Sequence, residues 1–169
     1  MKKIVMVIAQ DKFRDEELAV PKAIFEEKGY TVKIASTTKK DVVGMLGMKV
    51  KPDMFIQDIK ETDFDALVFV GGLGAQQYWN DPIAHKLAWD FASKNKIVSA
   101  ICIAPVILAN AGLLKGKRAT VWASEMARLI EAKAQYTNNP VERDGVVITA
   151  AGPFAAEEFG KEIVKALSE

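Results

Sequence analysis

Cys102, in the stretch SAICIAPVILANAG (99–112), is the only cysteine among 169 residues. A thiol between a buried strand and a helix whose first turn holds Ala104 and Pro105 faces unpaired backbone N–H groups. It also faces the positive end of the helix dipole, and both favour the thiolate. The compact neighbours Ser99, Ala100 and Ala104 permit the tight strand-to-helix turn of a nucleophile elbow. The alternative is an inert core thiol, since free cysteine is among the most buried residue types.

Two other stretches bear on that choice. The run VFVGG ends in Gly71-Gly72, where the backbone can approach a ligand and turn its N–H groups outward as an oxyanion hole requires. Taken alone, the glycine pair reads first as a tight turn at positive φ. The following LGAQ does not make a dinucleotide fingerprint, because the third glycine is missing and the first strand lies elsewhere. In RDEEL, Asp15 and Glu16 read as partners of a helix dipole. Glu17 differs, because Pro21 stands four residues on and leaves the Glu17 carbonyl without its helical donor. A loosened first turn at a strand end is a place for a carboxyl that points into a site.

Other patterns carry less. The single histidine, His85, lies in AHKLAWD and reads as a surface residue away from any strand end. GLLKGKR (112–118) is one residue too short for a phosphate loop and lacks its Ser/Thr. No second histidine or cysteine supports a metal site, and no cofactor is expected. Trp79 and Trp89 fall at helical spacings and read as core or interface.

The elements that must position these residues alternate in type. KIVMVIA (3–9), TVKIAS (31–36), DALVFVGG (65–72) and IVSAIC (97–102) read as strands, the first apolar on both faces as in a buried parallel sheet. Helices are expected over 15–29, over 81–95 with an Asp81 cap before Pro82, and over 104–112. RATVW (118–122) reads as a further strand and 124–132 as a helix capped by Ser124. VERDGVVITA (141–150) reads as a hairpin turning at Asp144-Gly145, followed by a closing amphipathic helix. Gly44 and Gly47 suggest short paired strands within 39–60. This rhythm predicts one domain over 1–169, a three-layer α/β/α sandwich around a doubly wound, mostly parallel, flavodoxin-like sheet. Sites in such sheets lie at the carboxyl ends of the strands.

The 23 basic and 22 acidic residues balance, and no segment concentrates one sign, so nothing suggests binding to nucleic acid or to an anionic membrane. No apolar run approaches the roughly 20 residues of a membrane span, and the basic start MKK leads into a strand. A lone cysteine suits a reducing compartment, and a cytoplasmic protein is expected.

The motifs EELAVP (16–21), GGLGAQ (71–76), AICIAP (100–105) and ITAAGP (148–153), in this order and spacing, resemble the ThiJ/PfpI family. That is the superfamily of the parkinsonism-associated protein deglycase, with a fold akin to class I glutamine amidotransferases. The resemblance implies that Cys102 is the nucleophile, Glu17 the acidic residue beside it, and Gly72 the source of a backbone N–H aimed at the site. With the N–H of Ile103 it would hold an oxygen, and Gly71, Leu73, Trp122 and Pro153 would line the pocket. A carboxyl close to a thiolate keeps its proton, which implies a nucleophile at neutral pH with a proton carrier beside it.

Three departures narrow the chemistry. Ile103 stands where the protease-like branch has histidine, and Trp122 where the deglycase-like branch has one. Ala151 replaces an arginine. No Cys-His dyad is therefore expected within one chain, unless another subunit supplies His85. The function expected is a cysteine-dependent stress-response protein acting on small reactive carbonyls, glyoxalase- or deglycase-like. The alternatives are a redox-sensing or chaperone protein oxidised by peroxide at Cys102, and a PfpI-type hydrolase or peptidase. The family resemblance also implies a homodimer or higher homo-oligomer.

Overall fold

The computed structural model describes residues 1–169. Its first strand, β1 (Lys3–Val7), is buried on both faces from Ile4 onward and pairs in parallel with β2 (Thr31–Ser36). Between them runs α1 (Asp15–Glu27), which carries Pro21 in its interior. After β2, short strands β3 (Val42–Val43) and β4 (Lys49–Val50) form an antiparallel ribbon, and β5 (Met54–Phe55) closes one edge of the main sheet. The chain then crosses to β6 (Ala66–Phe69) on the other side of β1. Helix α2 (Pro82–Ser93) leads to β7 (Ile97–Ile101), and α3 (Pro105–Asn110) follows. Next come β8 (Arg118–Ala119), α4 (Met126–Glu131) and β9 (Gln135–Tyr136). The strands β10 (Val141–Asp144) and β11 (Val147–Ala150) precede the last helix, α5 (Ala156–Leu167).

The main sheet has seven strands in the order β10-β11-β7-β6-β1-β2-β5, all parallel except the edge strand β10. Helices α1 and α5 cover one face, and α2, α3 and α4 the other. The strand order reverses between β1 and β6, so the crevice of the doubly wound sheet opens beyond their carboxyl ends. The apolar runs read from the sequence fill the two layers between sheet and helices, where Phe25, Phe69, Phe91 and Phe159 are fully buried. Gly160 lets α5 approach α1 closely: a Cβ there would stand 3.1 Å from the Cα of Pro21.

The expected elements are present, with four corrections. The segment 118–122 adds no strand to the main sheet; only Arg118 and Ala119 pair, with β9 in a separate ribbon. The place beside β7 is already taken by β11, so Thr120 N–H donates to Thr149 Oγ1 (2.9 Å) and Trp122 N–H to the Cys102 carbonyl (2.8 Å). Ser124 caps nothing; it lies in a 3-10 turn over Ala123–Glu125 and its hydroxyl donates to Glu125. The hairpin turns at Gly145-Val146, with Gly145 at φ 63°, because Asp144 still pairs with Val147. Asp15 is more than a dipole partner. Its carboxylate accepts the N–H groups of Leu46 (3.1 Å) and Met48 (2.9 Å), and so ties the β3–β4 ribbon to the start of α1. Gly44 makes room for it, since a Cβ there would collide with that carboxylate. The expected Asp81 cap is present, accepting from Ile83 N–H at 3.2 Å. No helix is long and apolar enough to cross a membrane.

Candidate active site

Three strand ends converge. Cys102 follows β7 and takes φ 66°, a left-handed conformation that costs a non-glycine residue energy and persists only where neighbours enforce it. They do so on both sides. Cys102 N–H donates to the Ala150 carbonyl (2.9 Å), which continues the β7–β11 ladder, and its carbonyl accepts from Trp122. Ala104 N–H then closes the turn on the Ile101 carbonyl at 3.1 Å, and Pro105 opens α3. The result is the elbow expected from the sequence, with the sulfur residue 9% exposed.

From the end of β1, Glu17 in the first turn of α1 reaches the same place and is fully buried. The start of α1 is fastened to the third strand end by Arg14 N–H, which donates to the Gly71 carbonyl at 2.9 Å. Gly71 itself is required for space. A Cβ on it would lie 2.6 Å from Cys102 Cβ and closer still to Glu17 Oε1, between the two functional groups. Gly72 is required for conformation, with φ 102°, and any Cβ would strike the backbone of residues 12–14. Thus Cys102, Glu17, Gly71 and Gly72 come together as expected, and the N–H groups of Gly72 and Ile103 both act on the sulfur.

The electrostatics differ from the expected free thiolate. Burial pushes the Glu17 carboxyl up to about 8, against modest opposition from the Cys102 thiol and the Arg14 charge. Neither carboxyl oxygen has a hydrogen-bond partner of good geometry, and the thiol and Gly71 N–H are the polar groups near enough to help. Burial also pushes Cys102 up, to about 12, with the Glu17 charge as the second cause. The Gly72 and Ile103 N–H groups pull it down but do not prevail. The helix dipole invoked from the sequence is weak here, because α3 has only six residues. Two acids in one dry site titrate as a pair, and the first proton leaves near pH 8.

The pocket over the sulfur encloses about 170 Å³. Gly72, Leu73, Cys102, Ile103, Trp122 and Pro153 line it as expected; Gly71 lies beneath, behind Glu17 and Cys102. Two lining residues were not legible in the sequence, Arg14 and Met45. Arg14 stood beside acidic residues that masked it as an ordinary helix-start charge. Met45 is held at the pocket by its own N–H, which donates to the Phe13 carbonyl (2.8 Å), and by the Asp15 tie to its ribbon. A second apolar depression, about 250 Å³, lies across Trp122 and includes Ala151 and Phe154. His85 is not the surface residue expected. It is half-buried, and its Nε2 donates to the Trp79 carbonyl (2.8 Å), while Trp79 Nε1 donates to the Ile103 carbonyl (3.1 Å). It therefore touches the elbow through one intermediary and does not line the pocket. No group of three or more His, Cys, Asp or Glu side chains converges to hold a metal ion.

A left-handed cysteine after a parallel strand, backed by a buried carboxyl, places the chain among α/β proteins with a cysteine elbow. The match of the DJ-1/PfpI family model to residues 2–166 is more specific, and the chain belongs to that family. An uncharacterized protein of Methanocaldococcus jannaschii, MJ0967, is 48% identical over 170 residues, spanning 99% of this chain and 83% of that one. Deglycase PfpI of Pyrococcus furiosus is 30% identical over 96% of this chain and 98% of its own. The crystal structure of a ThiJ/PfpI domain protein from Brachyspira murdochii superposes with a TM-score of 0.96. It is 32% identical and covers 98% of this chain and 96% of that chain.

The raised carboxyl sets a stability prediction. In the unfolded chain Glu17 ionises near its ordinary 4.5, and in the folded one near 8. Its contribution is therefore whole below pH 4.5 and lost as pH rises towards 8. Glu17→Gln removes this loss. The melting temperature of the variant, relative to wild type, should be flat below pH 4.5 and climb by several degrees up to pH 8, on the order of a few kcal/mol. Thermal unfolding of both proteins across that range checks it, and parallel curves would count against the shift.

Proposed function

We propose that the chain is a cysteine-dependent enzyme acting on small reactive carbonyls, glyoxalase- or deglycase-like, with Cys102 as nucleophile and Glu17 as proton carrier. The observation that carries this reading is the Glu17 carboxyl, buried without a side-chain partner other than the thiol and holding its proton to about pH 8. Once ionised near pH 8, a carboxyl so placed can take the thiol proton as sulfur attacks and return it to the oxygen of the adduct. In that step the S–C bond forms, the carbonyl π pair moves to oxygen, and the N–H groups of Gly72 and Ile103 stabilise the charge that develops. For a 2-oxoaldehyde, a proton shift between the two carbons and addition of water give a 2-hydroxy acid, with no external oxidant.

The size of the pocket supports a small substrate. Its volume of about 170 Å³ is ample for a three-carbon aldehyde. A relative named as a deglycase, PfpI, supports the same class of chemistry. Peptide cleavage gains nothing from His85, which stands outside the pocket and donates to a backbone carbonyl.

We also propose a homodimer or higher homo-oligomer. Leu46 (61% exposed), Leu73 (56%) and Phe154 (71%) leave much apolar surface around the pocket mouth, as surfaces do where another molecule covers them.

Methylglyoxal consumption, followed by NMR, should vanish in Cys102→Ser and fall by about 10²- to 10⁴-fold in Glu17→Gln. In wild type kcat/KM should rise with pH through about 8, because the carboxylate form of Glu17 accepts the thiol proton. Unchanged turnover in either variant would remove the mechanism. Sedimentation should show a species heavier than one chain that dissociates in Phe154→Glu; a monomeric wild type would contradict the assembly.

A further inference from the structure

We propose that Arg14 makes the Cys102 pocket an anion subsite, so that the preferred substrates are small aldehydes carrying a carboxylate. This rests on the reading of Cys102 as a nucleophile and names the substrate class for it. Among the residues lining the pocket, Arg14 alone carries a permanent charge; its neighbours there include Met45, Leu73, Ile103 and Trp122.

The guanidinium is held in place. Its Nε donates to Glu16 Oε2 at 2.7 Å, and its own backbone is anchored to Gly71. Five N–H donors in a planar fork, less the one committed to Glu16, leave both Nη groups without a hydrogen bond. Two parallel Nη–H donors match the two oxygens of a carboxylate, a pairing stronger and more directional than a contact between neutral groups. The side chain is 31% exposed and bordered by apolar groups, so water screens it less than at an open surface.

A cation at this spot also answers the departure at Ala151. Where the related branch has an arginine, this chain has an apolar depression on the far side of Trp122. The charge here comes instead from the start of α1. A substrate anchored by its carboxylate on Arg14 would present its aldehyde carbon to Sγ. Addition forms the S–C bond, sends the carbonyl π pair to oxygen, and moves the thiol proton to that oxygen through Glu17. Nothing is oxidised and no group leaves.

Alkylation separates the subsite from catalysis. Iodoacetate and iodoacetamide are both attacked by Sγ at the methylene carbon with departure of iodide, and differ only in carrying a carboxylate or a neutral amide. At one pH, the ratio of their rates on the intact protein should exceed the ratio on N-acetylcysteine by about tenfold, the range expected for one charge-assisted pair. Arg14→Gln should return the ratio to the free-thiol value, and Arg14→Lys should retain part of the preference. A wild-type ratio equal to that of the free thiol overturns the subsite. So does an equal fall for both reagents in Arg14→Gln, which would make Arg14 a modulator of the thiol and leave the nucleophile intact. A preserved iodoacetate preference with turnover of neither methylglyoxal nor glyoxylate would uphold the subsite and remove the carbonyl enzyme.

Discussion

Glu17 and Cys102 put two acids side by side in a dry site, and the surrounding structure exists to make that tolerable. An ionised carboxylate in such surroundings would cost several kcal/mol, so the pair keeps its protons instead. Holding it together takes all three strand ends. The Ala150 carbonyl and the Trp122 N–H pin Cys102 in its left-handed turn, and the Arg14 N–H fixes the start of α1 to Gly71. Gly71 must lack a side chain because the space where a Cβ would stand belongs to the pair. The close seat of α5 on α1, made by Gly160 against Pro21, holds the helix from the other side.

This constraint also defines what the site can do. A thiol pushed up to about 12 is a poor nucleophile by itself. A carboxylate that accepts its proton at the moment of attack supplies what the thiol lacks. The site is therefore better suited to reversible addition to a reactive carbonyl than to cleaving a peptide, whose leaving amine must be protonated by a second group. Arg14 adds to it a charge from the same helix start, held by its bond to Glu16.

Most of the fold and the centre of the site were legible in the sequence, because both are local in origin. Strand β2 spans 31–36 as read, since its apolar and β-branched run is bounded on both sides. Asp81-Pro82 marks a helix start by capping chemistry alone. Pro21 singled out Glu17 among three consecutive acids by removing one N–H, which is a covalent fact. The misreadings are non-local. RATVW has strand composition, but the neighbouring slot in the sheet was filled by a later strand. Asp15 looked like a dipole partner until its carboxylate met the ribbon carrying Met45. Arg14 owes its place to Gly71, 57 residues away, and His85 reaches Ile103, 18 residues on, only through Trp79. The protonation of Cys102 was misjudged because helix polarity is written in the sequence and burial is not.

The pairing of the two acids is tested most directly by following thiolate absorbance in the ultraviolet against pH, in wild type and in Glu17→Gln. With a shared site, the wild-type thiolate reaches completion only towards pH 12, after the carboxyl has ionised near 8. Without the carboxylate charge, the variant should form its thiolate in one step at distinctly lower pH. Superimposable titrations of the two proteins would mean that Glu17 does not govern the charge on Cys102, and the proton-sharing site would have to be abandoned.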